Sequence, residues 1–164
     1  MGLNKRLIGA GATASGAITP SENFKVVTYT GTGSAQSITG VGFKPDLVWI
    51  KERGGTAWHS WFDTTRGAGK RIVSNSSNAE NTDIQRLSSF DADGFSLGSD
   101  GDINGSSKTF VAWCWKANGG TTSSNGDGSI TSTVQANTDS GFSIIQYTGT
   151  GAAATIGHGL GVAP

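Results

Sequence analysis

Short runs of alternating apolar and polar residues, the period of a strand with one buried face, set the plan of this chain. Residues 24–30 place Phe24, Val26 and Thr28 on one face and Lys25, Val27 and Tyr29 on the other. Gly31-Thr32-Gly33 predicts a turn, residues 36–38 a short strand, and residues 40–45 a second turn. Residues 46–52 (DLVWIKE) and 57–62 (AWHSWF) read as strands on either side of a turn at Gly54-Gly55. A basic loop at 66–71 leads to Ile72-Val73, and the polar run 74–83 predicts an exposed loop. Residues 84–90 and 95–97 form a hairpin around the turn at 91–94, and 99–107 reads as a polar loop. The clearest core strand is 109–116 (TFVAWCWK), with Phe110, Ala112, Cys114 and Lys116 on one face and Val111, Trp113 and Trp115 on the other. Two apolar faces imply cover on both sides, in a sandwich interior or at a subunit interface. Residues 117–127 (ANGGTTSSNGD) have the composition of a flexible linker, and 129–135 is a last alternating run. Many short strands divided by turns predict an all-β fold, a β-sandwich of jelly-roll or lectin-like type.

One stretch occurs twice. Phe24, Tyr29, Thr30, Gly31, Thr32, Gly33 and Ile38 are matched 118 residues later by Phe142, Tyr147, Thr148, Gly149, Thr150, Gly151 and Ile156. After one extra residue near His158, Gly40, Gly42 and Pro45 are matched by Gly159, Gly161 and Pro164. A repeat fixes the unit of architecture, and a unit of this length is a small domain rather than a solenoid turn. The expected organisation is an N-terminal arm at 1–22, a β-sandwich domain at 23–118, a linker with a short strand at 119–140, and the opening of a second copy at 141–164. The chain is thus expected to be part of a longer tandem protein. The arm is rich in Gly, Ala, Ser and Thr, with Leu3, Leu7, Ile8 and Ile18 as its apolar anchors and Arg6 as a charge. Alone it cannot offset its ordering entropy, so it reads either as a disordered start or as a segment that orders by docking on a partner.

Composition narrows the function. Twenty-six glycines against one methionine disfavour helices, and five tryptophans with seven phenylalanines among β-branched runs supply an all-β core. Lys+Arg and Asp+Glu balance at 12 each, which gives no global pull toward nucleic acid or an anionic membrane. With Cys114 alone, no intrachain disulfide and no cysteine-based zinc site can form. The N-terminus carries no apolar run of signal-peptide length, and nothing approaches a membrane-spanning stretch. The protein is therefore expected in the cytosol until it is assembled or released.

Candidate chemistry is sparse. His59 and His158 are the two histidines, and neither lies in a nucleophile motif. Glu52, Asp63, Asp91 and Asp93 could be paired as in a glycosidase, but acids that flank turns are ordinary. Asp91, Asp93, Asp100 and Asp102 lie in DADGFSLGSDGD, which fails the spacing of an EF-hand and reads as turn-forming aspartates. The loop 66–71 lacks P-loop spacing. Trp49, Trp58, Trp61, Trp113 and Trp115 could line a sugar site, although their strand positions favour core packing. Trp49, Trp113 and Trp115 are the aromatics expected in the core or at an interface. Cys114 between two tryptophans reads as a small buried hydrophobe. No catalytic residue, metal site or cofactor is expected.

The order of the motifs GFKPDLVWIKERG, FDTTRGAGK, LSSFDADGFSLGSD and NGSSKTFVAWCWKA resembles a domain of tailed-phage structural proteins, especially fibre-like proteins of marine and freshwater phages. The resemblance covers about residues 24–117, and the opening MGLNKRLIGAGA is similar to the start of such virion proteins. It implies a non-enzymatic tail-fibre or appendage component of the virion, assembled in the host cytoplasm. It further implies a homotrimer whose arm docks on tail, neck or baseplate proteins and whose tandem β-domains form a stalk or adhesive part. The alternatives are a carbohydrate receptor-binding head that meets a host surface glycan, and a capsid- or neck-decorating protein. Neither nucleic-acid binding nor membrane insertion is expected.

Overall fold

Seven residues rich in β-branched and aromatic side chains make the first strand, β1 (Phe24–Thr30), after a 3-10 turn at Pro20–Glu22. The computed structural model describes residues 19–163. Next come β2 (Gln36–Ile38), β3 (Leu47–Glu52), β4 (Ser60–Asp63), β5 (Lys70–Val73) and β6 (Asn81–Thr82). They are followed by β7 (Leu87–Asp91), β8 (Gly94–Leu97), a helical turn α1 (Gly101–Asn104) and β9 (Thr109–Trp115). The last strands are β10 (Ser123–Asn125), β11 (Ser132–Asn137) and β12 (Phe142–Gln146). The arm residues Leu3, Arg6, Leu7, Ile8 and Ile18 lie outside the described residues.

The strands pair antiparallel in a six-stranded sheet of order β1-β9-β3-β4-β5-β6 and two three-stranded sheets, β2-β8-β7 and β10-β11-β12. The fold is an all-β sandwich: the six-stranded sheet and β2-β8-β7 enclose the core. Val48, Ile50, Phe62, Phe110, Ala112 and Cys114 come from the large sheet, and Ile38, Leu87, Phe95 and Leu97 from the small one. Strand β8 carries Gly94, at φ 152°, because a side chain there would collide with the Ile38 carbonyl of β2.

Two segments without an apolar pattern prove structurally central. The 99–107 stretch, expected to be a polar loop, contains α1, whose Ile103 and Asn104 are both fully buried. The Asn104 side chain accepts from the Thr32 backbone N–H and from the Gln36 amide, and donates to the Ser34 and Gly98 carbonyls. The 117–127 stretch, expected to be a flexible linker, is fastened by two buried polar side chains. The Asp46 carboxylate accepts from the backbone N–H of Ala117 and Gly119, and the Gln135 amide oxygen from those of Asn118 and Gly120. Buried polar groups need such partners, and here those partners supply the order that composition argues against. Hydrogen bonds also cross the expected boundary at 118, from Asn137 to Asn23 and Lys116.

The repeat is a repeat of backbone. Gly33, Gly40 and Gly42 have φ of 73°, 84° and 89°, and their counterparts Gly151, Gly159 and Gly161 have 74°, 72° and 75°. These left-handed turns are open to glycine at little cost.

Candidate functional site

A cross-strand row of large apolar side chains occupies the outer face of the six-stranded sheet, away from the sandwich core. Register sets it: Val26 of β1 pairs with Trp113 of β9, Trp113 with Trp49 of β3, Trp49 with Trp61 of β4, and Trp61 with Ile72 of β5. Because side chains alternate across a strand, five residues directly opposite one another must share one face. The Trp49 ring lies 4.9 Å from Trp113 and 5.3 Å from Trp61, both tilted. In the next row, Phe24 meets Trp115 at 5.0 Å, and Trp115 stacks on Phe142 of β12 at 6.2 Å.

This placement corrects the expectation of core packing. None of the five tryptophans belongs to the buried core; Trp49, Trp61, Trp113 and Trp115 are half-buried, and Trp58 is exposed. Strand β9 is likewise covered fully on one side only. Phe110, Ala112 and Cys114 have no exposure, while Val111, Trp113 and Trp115 remain half-buried. The second sheet of the sandwich covers one face of the large sheet, and the third sheet meets only part of the other. At that margin a cavity of about 310 Å³ separates Trp61 and Ile72 from Ile144, Ile145 and Tyr147. Val26 and Ile72, at the two ends of the row, are 43% and 42% exposed.

Two indole N–H groups in the row, those of Trp49 and Trp61, are sheltered from solvent without a hydrogen-bond acceptor. Such donors cost free energy when left unpaired.

The remaining sequence candidates go to separate places. Asp91 accepts from the Ser89 and Ser96 hydroxyls, and Asp100 caps α1 and pairs with Arg86. Asp102 pairs with Arg71. Asp93 accepts from the backbone N–H of Gly40 and Gly42, and those two bonds hold its carboxyl below the usual range. Among the described residues no three His, Cys, Asp or Glu side chains converge to hold a metal ion. His59 lies 6.2 Å from the Trp49 ring, and the Nδ1 of His158 accepts from the Leu160 backbone N–H. Glu52 is buried at the end of β3 and paired with Lys108, while Asp63 is paired with Arg66.

A family described as a domain of unknown function, DUF7483, matches residues 19–164 of the chain. No curated protein and no solved structure matches it.

Proposed function

The chain belongs to that family, and we propose that it is a non-enzymatic structural module of a phage tail fibre or related virion appendage, joined to further copies of itself through its tryptophan face. The observation that carries this reading is the five-residue apolar row from Val26 to Ile72, half-buried at its three tryptophans and exposed at both ends. Aromatic side chains concentrate at the centres of protein interfaces and charged ones are depleted there, as they are on this row. The preferred occupant is a second copy. Neutral rows of this kind can converge around a threefold axis without like-charge repulsion, and the chain as a whole has a formal net charge of +0. The motif resemblance supplies the virion setting and the homotrimer, with the arm at 1–22 docking on other virion proteins and repeated domains multiplying weak contacts.

The test is the mass of the full chain in solution by light scattering, over a range of concentrations. The expected result is a trimer that Trp113→Glu converts to a folded monomer. A wild-type monomer at every concentration would remove the self-association reading, and a trimer indifferent to Trp113→Glu would place the contact elsewhere.

A further inference from the structure

A second site lies where β3, the loop after it and α1 meet. Glu52, Gly55, Trp58, Asp102 and Lys108 line an open cavity of about 480 Å³. One buried guanidinium organises two of its walls. Arg71, 3% exposed, lies 5.0 Å from the centre of the Trp58 ring and pairs with Asp102 at 2.8 Å. A third wall is the pair between Lys108 and Glu52 at 3.1 Å, with Glu52 itself 8% exposed. Gly55 leaves room for that carboxylate, because a side chain at 55 would collide with it. Trp58 keeps 39% of its surface open, so an aromatic ring fixed by a buried cation faces solvent beside two acids and a lysine.

The hydrogen-bonding capacity of this cavity is only part-used. A carboxylate has about four lone-pair sites and an ammonium three donors. Among the described residues, Oε2 of Glu52 and Oδ2 of Asp102 each accept from one cation, whereas Oε1 of Glu52 and Oδ1 of Asp102 accept from no side chain. Two acids and two bases cancel, so neither an anion nor a cation gains a net Coulombic advantage there. What fits is a neutral molecule with many hydroxyls, able to donate to carboxylates, accept from an ammonium, and lay an apolar C–H face on an indole.

We propose that this cavity binds a neutral saccharide, with Trp58 as the stacking platform and Glu52, Asp102 and Lys108 as its hydroxyl partners. The cavity lining shares no residue with the row from Val26 to Ile72, so this inference does not rest on self-association.

The experiment titrates the full chain, labelled with nitrogen-15 at its indoles, with methyl glucoside, methyl galactoside, methyl mannoside, N-acetylglucosamine and maltotriose. Glucuronic acid and glucosamine serve as charged controls. At least one neutral sugar should shift the Trp58 indole signal saturably. Read by isothermal titration calorimetry, which needs no indole reporter, Trp58→Ala and Gly55→Ala should each weaken that binding at least tenfold, and Trp113→Glu should leave it unchanged. Gly55→Ala keeps the test decisive if Trp58→Ala fails to fold, because it displaces only the Glu52 carboxylate. The proposal is overturned if no neutral sugar moves Trp58, if a charged control binds more tightly, or if binding survives both cavity variants. Because binding is read on the Trp113→Glu chain as well, its loss and the loss of assembly are distinguishable.

Discussion

The two faces of the six-stranded sheet are made by the same strands and differ in what they meet. On the inner face, Val48, Ile50, Phe62, Phe110, Ala112 and Cys114 pack against a second sheet and lose their solvent exposure. On the outer face, Trp49, Trp61, Trp113 and Trp115 carry larger side chains but stay half-buried. Size and hydrophobicity alone therefore do not decide which side becomes the core. The partner does: β2-β8-β7 together with α1 closes one face, and β10-β11-β12 reaches only a margin of the other. The contrast supports a core that stabilises the monomer and an outer row that stabilises an assembly.

The largest expected effect falls on the inner face. Phe110→Ala should destabilise the monomer by about 3–5 kcal/mol through loss of buried surface and an unfilled cavity. Denaturant unfolding measures this directly, and a cost below about 1 kcal/mol would dissolve the distinction between the faces. Trp113→Glu, three residues along the same strand, should remove the oligomer but cost the monomer only about 1–2 kcal/mol, chiefly its aromatic pairing with Trp49. A larger loss than for Phe110→Ala would return Trp113 to the core.

Alkaline pH sharpens the contrast further. Burial pushes the Cys114 thiol up to about 12 and raises the Tyr29 phenol further still, with the Cys114 charge adding to the latter. Both groups are neutral in their protonated forms, and both have folded values above those of the open chain. Their stabilisation is therefore complete below the unfolded values, about 8.5 for cysteine and 10 for tyrosine, and falls as pH rises toward the folded ones. The chain should lose stability progressively above about pH 9. A Cys114→Ala variant should lose the part of this slope that begins lowest. Unfolding curves across that window check this, and a thiol reagent should label Cys114 only as the chain opens.

Acid pH gives the smallest effect. The Asp93 carboxylate, which fastens the turn at Gly40 and Gly42, has a lowered folded value, so its contribution is present above about 3.9 and disappears as pH falls through the folded value. Amide exchange at Gly40 and Gly42 should quicken in Asp93→Asn at neutral pH, while the core amides do not change.

The repeat adds a lesson about what is legible in sequence. Glycines at 33, 40 and 42 and their counterparts at 151, 159 and 161 adopt the same left-handed turns, so local conformation follows local sequence. Burial does not follow it. Phe43 is 6% exposed and its counterpart Val162 70%, while Tyr29 donates to the Ile103 carbonyl and Tyr147 is 53% exposed. The three longest runs of apolar and β-branched residues, which became β1, β3 and β9, could be read to within a residue. The first turn of α1, the anchoring roles of Asn104 and Asp46, and the bound path of residues 117–127 could not, because their partners lie some 70 residues away in several cases. The tryptophan row was hidden for a related reason. Alternation assigns Phe110 and Trp113 to opposite faces of β9, but only the pairing register aligns Val26, Trp113, Trp49, Trp61 and Ile72 and reveals which face lacks a full cover. The cavity at Trp58 was equally hidden, since Arg71 reaches it from β5 and Asp102 from α1, 31 residues further along the chain.

The most direct test of the outer row as an interface is the indole spectrum of the chain labelled with nitrogen-15 at its five tryptophans, recorded from dilute to concentrated solution. The account predicts that the Trp49, Trp61 and Trp113 signals shift together and exchange more slowly as the assembly forms, while Trp58 holds its position. Signals that stay fixed at every concentration, or a shift led by Trp58, would contradict it.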